Sequence, residues 1–360
     1  QTRLGCWAEI VPDYSTCFDR TKSRKMTQIY TPPQFDYASI LNFSLELEEM
    51  RDATELAINF SRTEFASPIA ILTIGCNIKS LREYRKSLEL VTHFQGISED
   101  IPAHSYLGHL GFFNFIDVPF GKAIGEAVGN NRYMPITKLS YSELMLEVSP
   151  PYKLLRHVIM AEAEKLAKVL SPSESDEDSR ITLAYALREI IRNVFEHSKA
   201  RDAYICGQRR TSGRVEIAII DRGIGIFNSL KSAFGIKDPV DALELAIEPA
   251  VSRTTGPRGD KNEHGNSGYG LYVLSRLGLE YGKFLLGSGE GCLRMDKDGT
   301  TIDQFSYKGT VVGLRLNSPP NNFGADLEAI LQGGEMEAYM EGRKVKPSPG
   351  TKEIPLSKRK

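Results

Sequence analysis

Cysteine and histidine are scarce and scattered in this sequence. Five cysteines and six histidines are distributed over 360 residues, with no CxxC pair and no Cys/His cluster. Structural zinc sites and disulfide frameworks need such groupings, so neither is expected to hold this fold together. The wide spacing is typical of reduced thiols in a cytoplasmic protein.

Long apolar runs are also missing. The most apolar stretch, Pro68 to Cys76, is far shorter than the ~20 residues that a membrane-spanning helix needs. The start of the sequence lacks the charged and then apolar pattern of a signal peptide. We therefore expect a cytoplasmic protein that does not have a membrane as a partner.

Neither sign of charge is in excess. Lys and Arg together number 45, against 46 for Asp and Glu, so the chain lacks the overall basic footprint of a nucleic-acid-binding protein. Nucleic acid is therefore not an expected partner. A basic tail from 343 to 360 is expected to be disordered, with a contact to nucleic acid or to an acidic partner as the alternative.

The first third of the chain predicts a small α/β domain. Residues 1 to 35 have no sustained period and are expected to form an irregular arm. Residues 43 to 48 alternate in the manner of an exposed strand, and 55 to 61 are typical of a buried one. An apolar segment from 69 to 76 then leads into an amphipathic helix from 78 to 94.

This part faintly resembles the STAS domain of bacterial anti-sigma-factor antagonists, in which a strand and a tight turn lead into a helix. Ser67 stands where the resemblance implies a phosphoacceptor, but Pro68 follows it and no Asp precedes it. We interpret Ser67 as a turn residue and Pro68 as the first turn of a helix. The apolar segment from Leu110 to Ile116 is expected to complete the core of this domain.

A domain joint is predicted between residues 130 and 151, where asparagines and paired prolines accumulate. A helix is expected from 152 to 170, followed by an acidic linker from 171 to 179. His157 lies on that helix, where a sensor histidine kinase carries its phosphoacceptor. No acidic residue follows it, so we do not assign it that role.

The stretch from 187 to 197 predicts one helix with two faces. Leu187, Ile190, Ile191 and Val194 form an apolar stripe, while Glu189, Asn193 and His197 repeat every four residues on another face. A carboxylate one turn before a carboxamide suits a magnesium-nucleotide site, because Asn ligates the hard cation by oxygen and Glu positions a water. The alternative is an ordinary solvated helix face.

Two glycine motifs follow this helix. A predicted hairpin of residues 203 to 208 and 215 to 220 runs into Asp221, Gly223 and Gly225 in the pattern DxGxG. A carboxylate at a strand end accepts the hydrogen bond of an adenine amino group. The second motif, GxxGxGL, opens a helix, and the free amides of a helix N-terminus suit phosphates; its residues are Gly265, Gly268, Gly270 and Leu271.

The order and spacing of these motifs, with final strands ending in residues 309 to 316, resemble the GHKL ATPase superfamily. That superfamily contains gyrase-type topoisomerases, heat-shock chaperones, histidine kinases and mismatch-repair ATPases. The resemblance covers about residues 150 to 318. It implies the Bergerat fold, a two-layer α/β sandwich with a mixed sheet covered on one face by helices, with Mg²⁺ and ATP as cofactors.

The resemblance also implies a role for each motif residue. Asn193 resembles the magnesium ligand, and Asp221 resembles the adenine partner with Thr310 as a second adenine contact. Gly223 and Gly225 resemble the glycines beside the base. The phosphate loop is implied at Gly265, Gly268 and Gly270, followed by Leu271. Residues 251 to 266 resemble a flexible lid, in which Arg253, Arg258 or Lys261 is a candidate for meeting the γ-phosphate.

Glu189 separates branches of this superfamily. Topoisomerases, chaperones and anti-sigma serine kinases resemble this chain in having Glu there, whereas most sensor histidine kinases have Asn. The resemblance therefore implies a catalytic Glu189, in an ATPase or a serine/threonine-type protein kinase. A regulator that binds Mg-ATP without turnover and presents an ordered surface to a protein partner or a second copy is the alternative.

The sequence thus predicts an α/β protein of several parts. An N-terminal domain is expected over residues 1 to 149, a GHKL ATP-binding domain over 150 to 320, and a C-terminal helix with the basic tail over 321 to 360. The expected function is a regulator that hydrolyses ATP or transfers its γ-phosphate, with lid closure coupled to a protein interaction.

Overall fold

The computed structural model describes residues 26 to 352, apart from 131, 151 to 153, 171 to 176, 259 to 266, 319 and 321. It is a mixed α/β protein with sheets of three, five and two strands. The strands are β1 (Thr27–Tyr30), β2 (Gln34–Phe35), β3 (Leu56–Asn59), β4 (Phe65–Ala66), β5 (Thr92–Gln95), β6 (Tyr133–Ser140), β7 (Asp202–Arg209), β8 (Val215–Asp221), β9 (Gly282–Asp296) and β10 (Gly299–Leu316). The helices are α1 (Ser39–Glu49), α2 (Pro68–Ser87), α3 (Pro102–His109), α4 (Phe112–Phe115), α5 (Tyr141–Leu146), α6 (Leu155–Leu170), α7 (Glu177–His197), α8 (Gly225–Phe234), α9 (Pro239–Ala246), α10 (Gly270–Tyr281), α11 (Phe323–Met340) and α12 (Pro349–Lys352).

A small parallel sheet organises the first part of the chain. Its order is β1-β3-β5, and Ile58 of the central strand lies between Ile29 and Phe94. Parallel neighbours need crossover connections, and α1 and α2 supply them. The buried strand predicted at 55 to 61 is confirmed by β3. The irregular arm predicted for residues 1 to 35 is wrong from residue 27 onward, where β1 begins, and residues 1 to 25 lie outside the described part.

The strand predicted at 43 to 48 is wrong, because these residues belong to α1. Ile40, Phe43 and Leu47 are buried at helical spacing on one face of that helix. The alternating pattern of residues 43 to 48 is too short to distinguish the two-residue period of a strand from the 3.6-residue period of a helix. Packing against the sheets on either side decides the conformation.

Helix α2 is longer and begins earlier than predicted. Pro68 occupies its first turn, as expected, and the apolar segment from 69 to 76 is its buried half. A helix that is apolar on every side must be covered on every side. The predicted continuation to residue 94 is wrong, since α2 ends at Ser87 and Thr92 begins β5. The segment from Leu110 to Ile116 completes this core as predicted, with four aromatic and aliphatic side chains at 0% exposure (Phe112, Phe113, Phe115 and Ile116).

The five-stranded sheet has the order β6-β7-β8-β10-β9, and every pairing in it is antiparallel. The expected mixed sheet is therefore corrected to an antiparallel one. Alternate residues of β8 point to opposite faces: Ile217 and Ile219 join the core beneath α6, α7 and α10, whereas Ala218 and Ile220 join the core beneath α1 and α2.

Helices therefore cover both faces of this sheet, whereas the GHKL resemblance implied only one covered face. The N-terminal layer, which comprises β1 to β5 and α1 to α4, is held to the large sheet by an ion pair as well as by apolar packing. Arg222 donates to both carboxylate oxygens of Glu83 on α2, at 2.8 and 2.5 Å. Ile69 of α2 also lies against Gly313 of β10.

The joint predicted between 130 and 151 contains β6 and α5, so the large sheet begins upstream of the boundary expected at residue 150. Met134 pairs with Gly207 and Leu139 with Ala203. Pro135 falls at a register shift between Met134 and Thr137 on this edge strand, where a missing backbone N–H is tolerated. A proline at a bulge therefore concealed a strand in the sequence pattern.

The C-terminal helix predicted within residues 321 to 360 is confirmed as α11, whose Phe323 and Leu327 pack beside Tyr185 and Tyr272. The basic tail is not disordered up to residue 352, since this segment docks on the protein, and 353 to 360 lie outside the described part. Within the described ranges, no helix is both long and apolar enough to cross a membrane.

Candidate functional site

A cleft lies between α7, the start of α10 and the ends of β8 and β10. It is partly open to solvent, and residues of all four elements line it. Of the predicted site residues, eight line it: Glu189, Asn193, Asp221, Gly225, Gly268, Gly270, Leu271 and Thr310. The remaining two are Gly223, which lies behind Asp221, and Gly265, which lies outside the described part.

Asp221 forms part of the floor of the cleft. It is the last residue of β8, directly opposite Thr310 on β10, and it is 2% exposed. The backbone N–H of Gly223 donates to its Oδ1 at 2.7 Å. Burial raises the pKa of this carboxyl from 3.8 to about 6, and hydrogen bonds from Gly223, Ser198 and Thr310 act against that rise. The result is a buried acceptor facing a cleft with apolar walls, among them Ile219 and Val312.

Gly223 is required by packing rather than by the cleft itself. A Cβ at this position would lie 2.1 Å from the carbonyl oxygen of Ser198, far inside contact distance. The backbone N–H of Ile224 donates to the same oxygen at 2.8 Å. The turn after β8 is thereby pressed against the end of α7, which fixes the direction of the Asp221 side chain.

The carboxylate of Glu189 is buried and held by two arginines. Its Oε1 lies 2.8 Å from Nη2 of Arg188 and 3.4 Å from Nη1 of Arg192, and the residue is 3% exposed. A Cβ on residue 270 would lie only 2.5 Å from Oε2 of Glu189, which is inside contact distance. Glycine at 270 therefore lets the carboxylate approach the N-terminus of α10, where a helix dipole favours negative charge.

Asn193 lies one turn after Glu189 on α7 and also lines the cleft. Its Nδ2 is buried without a hydrogen-bond partner among the described residues. A buried amide without a partner is costly, so this position favours a polar group brought by a ligand. The third residue of the predicted face, His197, ends α7, and its side chain lies outside the described part.

The opposite wall is formed by the segment before α10 and the start of the predicted lid. Val251, Ser252 and Arg253 line the cleft together with Ser267 and Gly268. The backbone N–H of Val251 donates to the carbonyl of Gly268 at 3.2 Å. Residues 251 to 258 form hydrogen-bonded turns, while 259 to 266, with Lys261 and Gly265, lie outside the described part. The lid prediction therefore stays a prediction.

Sequence reasoning missed three contributors to the site. Ser198 closes the floor from the end of α7, and the Tyr307 hydroxyl donates to the carbonyl of Asp221 at 2.8 Å. Thr351 lines the cleft from the C-terminal segment, 2% exposed, with its hydroxyl 3.1 Å from that of Ser267. Ser198 follows the predicted helix by one residue, but no local pattern connects Thr351 with a site more than eighty residues upstream.

No family model matches this sequence, and no curated protein matches it. The arrangement of the cleft is therefore judged on its own chemistry. Within the described residues, no three or more His, Cys, Asp or Glu side chains gather as a metal site. A cation in this cleft would instead rest on the side-chain oxygen of Asn193 and on the phosphates of a nucleotide, which is how magnesium is often held.

Proposed function

We propose that the cleft binds Mg-ATP and that the protein is a regulator of the GHKL type with a Bergerat ATP-binding domain. The observation that carries this proposal is the meeting of three motifs that are distant in sequence. The buried Asp221 occupies the floor, the Glu189 and Asn193 face of α7 forms one side, and the glycines before α10 form the other.

Each part suits one portion of the nucleotide. The Asp221 carboxyl accepts a hydrogen bond from the adenine amino group, and the hydroxyl of Thr310 lies beside it on the neighbouring strand. The backbone amides at the start of α10 face the phosphates. Asn193 would hold Mg²⁺ through its side-chain oxygen, and the chemistry that the cation would supply is neutralisation of charge on the phosphates.

Glu189 is proposed as the general base. In hydrolysis its carboxylate takes the proton of a water whose oxygen forms a bond to the γ-phosphorus, while the bond to the bridging oxygen of ADP breaks. A serine or threonine hydroxyl would replace the water in phosphotransfer. Closure of the segment from 251 to 266 would then exclude bulk water and couple the nucleotide state to a protein partner or a second copy.

The ion pairs of Glu189 favour a second candidate, a module that binds ATP without turnover. Two guanidinium groups already engage its Oε1, so this oxygen is less available to take a proton from a water. In this alternative, nucleotide binding orders the walls of the cleft and the surface that a partner recognises. Phosphorylation of Ser67, as in an STAS domain, is not part of either candidate, because that side chain is fully buried.

Asp221→Asn tests the adenine site. The substitution keeps the shape but exchanges an acceptor oxygen for a donor, so we expect ATP and ADP affinity to fall together by about tenfold or more. The control is Asp298→Asn, a surface carboxylate whose side chain is 75% exposed; its nucleotide affinity should match the wild type. Calorimetry that finds unchanged ATP binding in a folded Asp221→Asn variant would contradict the assignment.

γ-Labelled ATP distinguishes the two candidates. With purified protein and magnesium, label released as free phosphate supports hydrolysis, and acid-stable label on the protein supports transfer to a hydroxyl. ATP binding without release or transfer, alone and with its partner, supports the module without turnover.

A further inference from the structure

A second cavity lies at the other end of the large sheet. It is open to solvent and is lined by two tyrosines, three arginines, a glutamine and a threonine (Tyr106, Tyr133, Arg132, Arg209, Arg210, Gln208 and Thr211). Arg209 pairs with Val215 at the start of β8, whereas Asp221 ends that strand. At ~3.3 Å per residue, the cavity is roughly 20 Å from the nucleotide cleft.

The lining of this cavity carries positive charge without a compensating carboxylate. Neither Asp nor Glu is among its lining residues. The carboxylate on the adjacent part of the hairpin, Glu216, is shared by two other arginines, with Nε of Arg315 at 2.9 Å and Nε of Arg214 at 3.5 Å. The cavity arginines therefore lie beside a second cationic cluster whose single carboxylate is already engaged.

Arg210 is held in a defined orientation with unused hydrogen-bonding capacity. Its guanidinium lies over the ring of Phe65, 4.3 Å from the ring centroid. Its Nε and the Oε1 of Gln208 are buried without hydrogen-bond partners among the described residues. Rotating the Gln208 amide by a half turn presents its NH₂ group instead. Both groups can then donate to one acceptor.

Repulsion among these cations lowers the stability of the folded protein. Burial lowers the pKa of Arg214, and the charges of Arg210 and Arg315 lower it further against the opposing effect of Glu216. Partly buried like charges are destabilising unless an anion neutralises them. The hairpin thus concentrates donors and positive charge, and Glu216, the carboxylate beside the cavity, is already engaged by Arg214 and Arg315.

We propose that this cavity binds a small ligand that carries a multiply charged phosphate group, through Arg132 and Arg210 with the amide of Gln208. Two guanidinium groups and an amide donor match a phosphate or pyrophosphate better than a single carboxylate, in charge and in forked donor geometry. The site is separate from the nucleotide cleft and does not depend on the function proposed for it. It lies where β6 and β7 meet α3 of the N-terminal layer, since Tyr106 belongs to α3.

Inorganic pyrophosphate is the probe that tests this site. The full chain, without added nucleotide or magnesium, is titrated with pyrophosphate by calorimetry at low salt, and the arginine variants assign the binding to this cavity. Arg210→Gln and Arg132→Gln should each weaken pyrophosphate binding by about tenfold. Arg132 is exposed, so its variant tests the site without risk to folding. Arg210→Lys, which keeps the charge but loses the fork, should also weaken binding.

A matched control and a competing anion complete the experiment. Arg294→Gln removes an arginine that is paired with Asp303 on β9 and β10, and it should leave pyrophosphate affinity unchanged. ATP affinity should be unaffected by Arg132→Gln, which separates this proposal from the function of the cleft. The proposal is overturned if pyrophosphate does not bind at millimolar concentration, if Arg132→Gln and Arg210→Gln bind it normally, or if citrate binds as tightly.

Discussion

At the scale of single residues, Asp221 should make folding stability depend on pH. Its folded pKa of about 6 exceeds its ordinary value of 3.8, so the unfolded chain loses this proton at lower pH. The stabilising contribution is fully present below about pH 4 and is lost as pH rises through about 6. A shift of about two units corresponds to roughly 3 kcal/mol.

Urea unfolding of wild type and Asp221→Asn at about pH 4, 5, 6 and 7 measures this effect. The asparagine does not titrate, so the difference in unfolding free energy between the two proteins should change by roughly 3 kcal/mol, in favour of the variant at the higher pH. A difference that is constant across this range would mean that Asp221 ionises in the folded state as it does in the unfolded chain.

Substitutions of Glu189 and of Asn193 should impair different properties, phosphate release in the first case and Mg-ATP affinity in the second. Asn193→Ala removes the proposed magnesium ligand, so Mg-ATP affinity itself should fall. Glu189→Gln keeps the shape beside Arg188 and Arg192 but removes the base. Affinity should stay within a few fold while phosphate release falls by roughly 10² to 10⁴.

The measurement is paired, with ATP affinity and phosphate release determined for each variant after circular dichroism has shown a native spectrum. Arg192→Gln serves as a second comparison, because it removes one of the two guanidinium groups that engage Oε1 and leaves the Glu189 carboxylate in place. Undiminished phosphate release from Glu189→Gln would remove the catalytic role and leave binding alone.

At the scale of elements, the C-terminal segment is tied to both sides of the cleft mouth. The hydroxyl of Tyr269 donates to the carbonyl of Val345 at 3.0 Å, and Nη1 of Arg343 donates to the carbonyl of Pro249 at 2.8 Å. Together with the contact between Thr351 and Ser267, these bonds fix the approaches to α10 and to the predicted lid.

Removing residues 343 to 360 should therefore loosen these approaches. We expect amide hydrogen exchange in residues 250 to 251 and 267 to 270 to accelerate by about fivefold or more, since the lost bonds anchor both stretches. Exchange in β3, which is remote from the segment, is the internal control. Equal exchange rates in the truncated and full chains would show that the segment rests on the site without restraining it.

Some of these elements were predictable from sequence and others were not. Helix α7, the hairpin of β7 and β8, and the start of α10 carry local signals, namely helical periodicity, strand patterns and glycines before a helix. Strand β6 carries Pro135, and its pairing with β7 is set by residues about seventy positions away. The assignment of α1 likewise depended on burial, which a six-residue pattern does not encode.

The predicted residues of the cleft follow the same division. Asp221, Asn193 and the glycines lie in short motifs, and the structure brings most of them together. The arginines that hold Glu189 were visible as its neighbours on α7, yet their contact with it depends on side-chain packing. Thr351 is brought into the cleft only by tertiary folding.

At the scale of the whole molecule, the N-terminal layer should be required for the stability of the large sheet. Gly313 leaves room for Ile69, and a Cβ at 313 would lie 2.9 Å from that side chain. Gly313→Val should therefore lower the free energy of unfolding by about 1 to 3 kcal/mol, because it pushes α2 away from β10.

Thr301→Val is the matched control for this substitution. It adds the same type of side chain to an exposed position on the same strand, so its effect should stay within about 0.5 kcal/mol. Chemical denaturation followed by fluorescence measures both variants. If Gly313→Val is as stable as the control, α2 does not press on the sheet as closely as its side chains indicate.

The ion pair between Arg222 and Glu83 couples the large sheet to the N-terminal layer. Arg222 follows Asp221 directly, so a single peptide links the floor of the cleft to α2. A ligand in the cleft that shifts this peptide must also shift α2. A protein that binds α2 must likewise affect the cleft. Reciprocity then requires that both influences have the same magnitude. A change in the affinity of the cleft for its ligand would therefore report whether a protein is bound to α2 on the opposite face of the sheet.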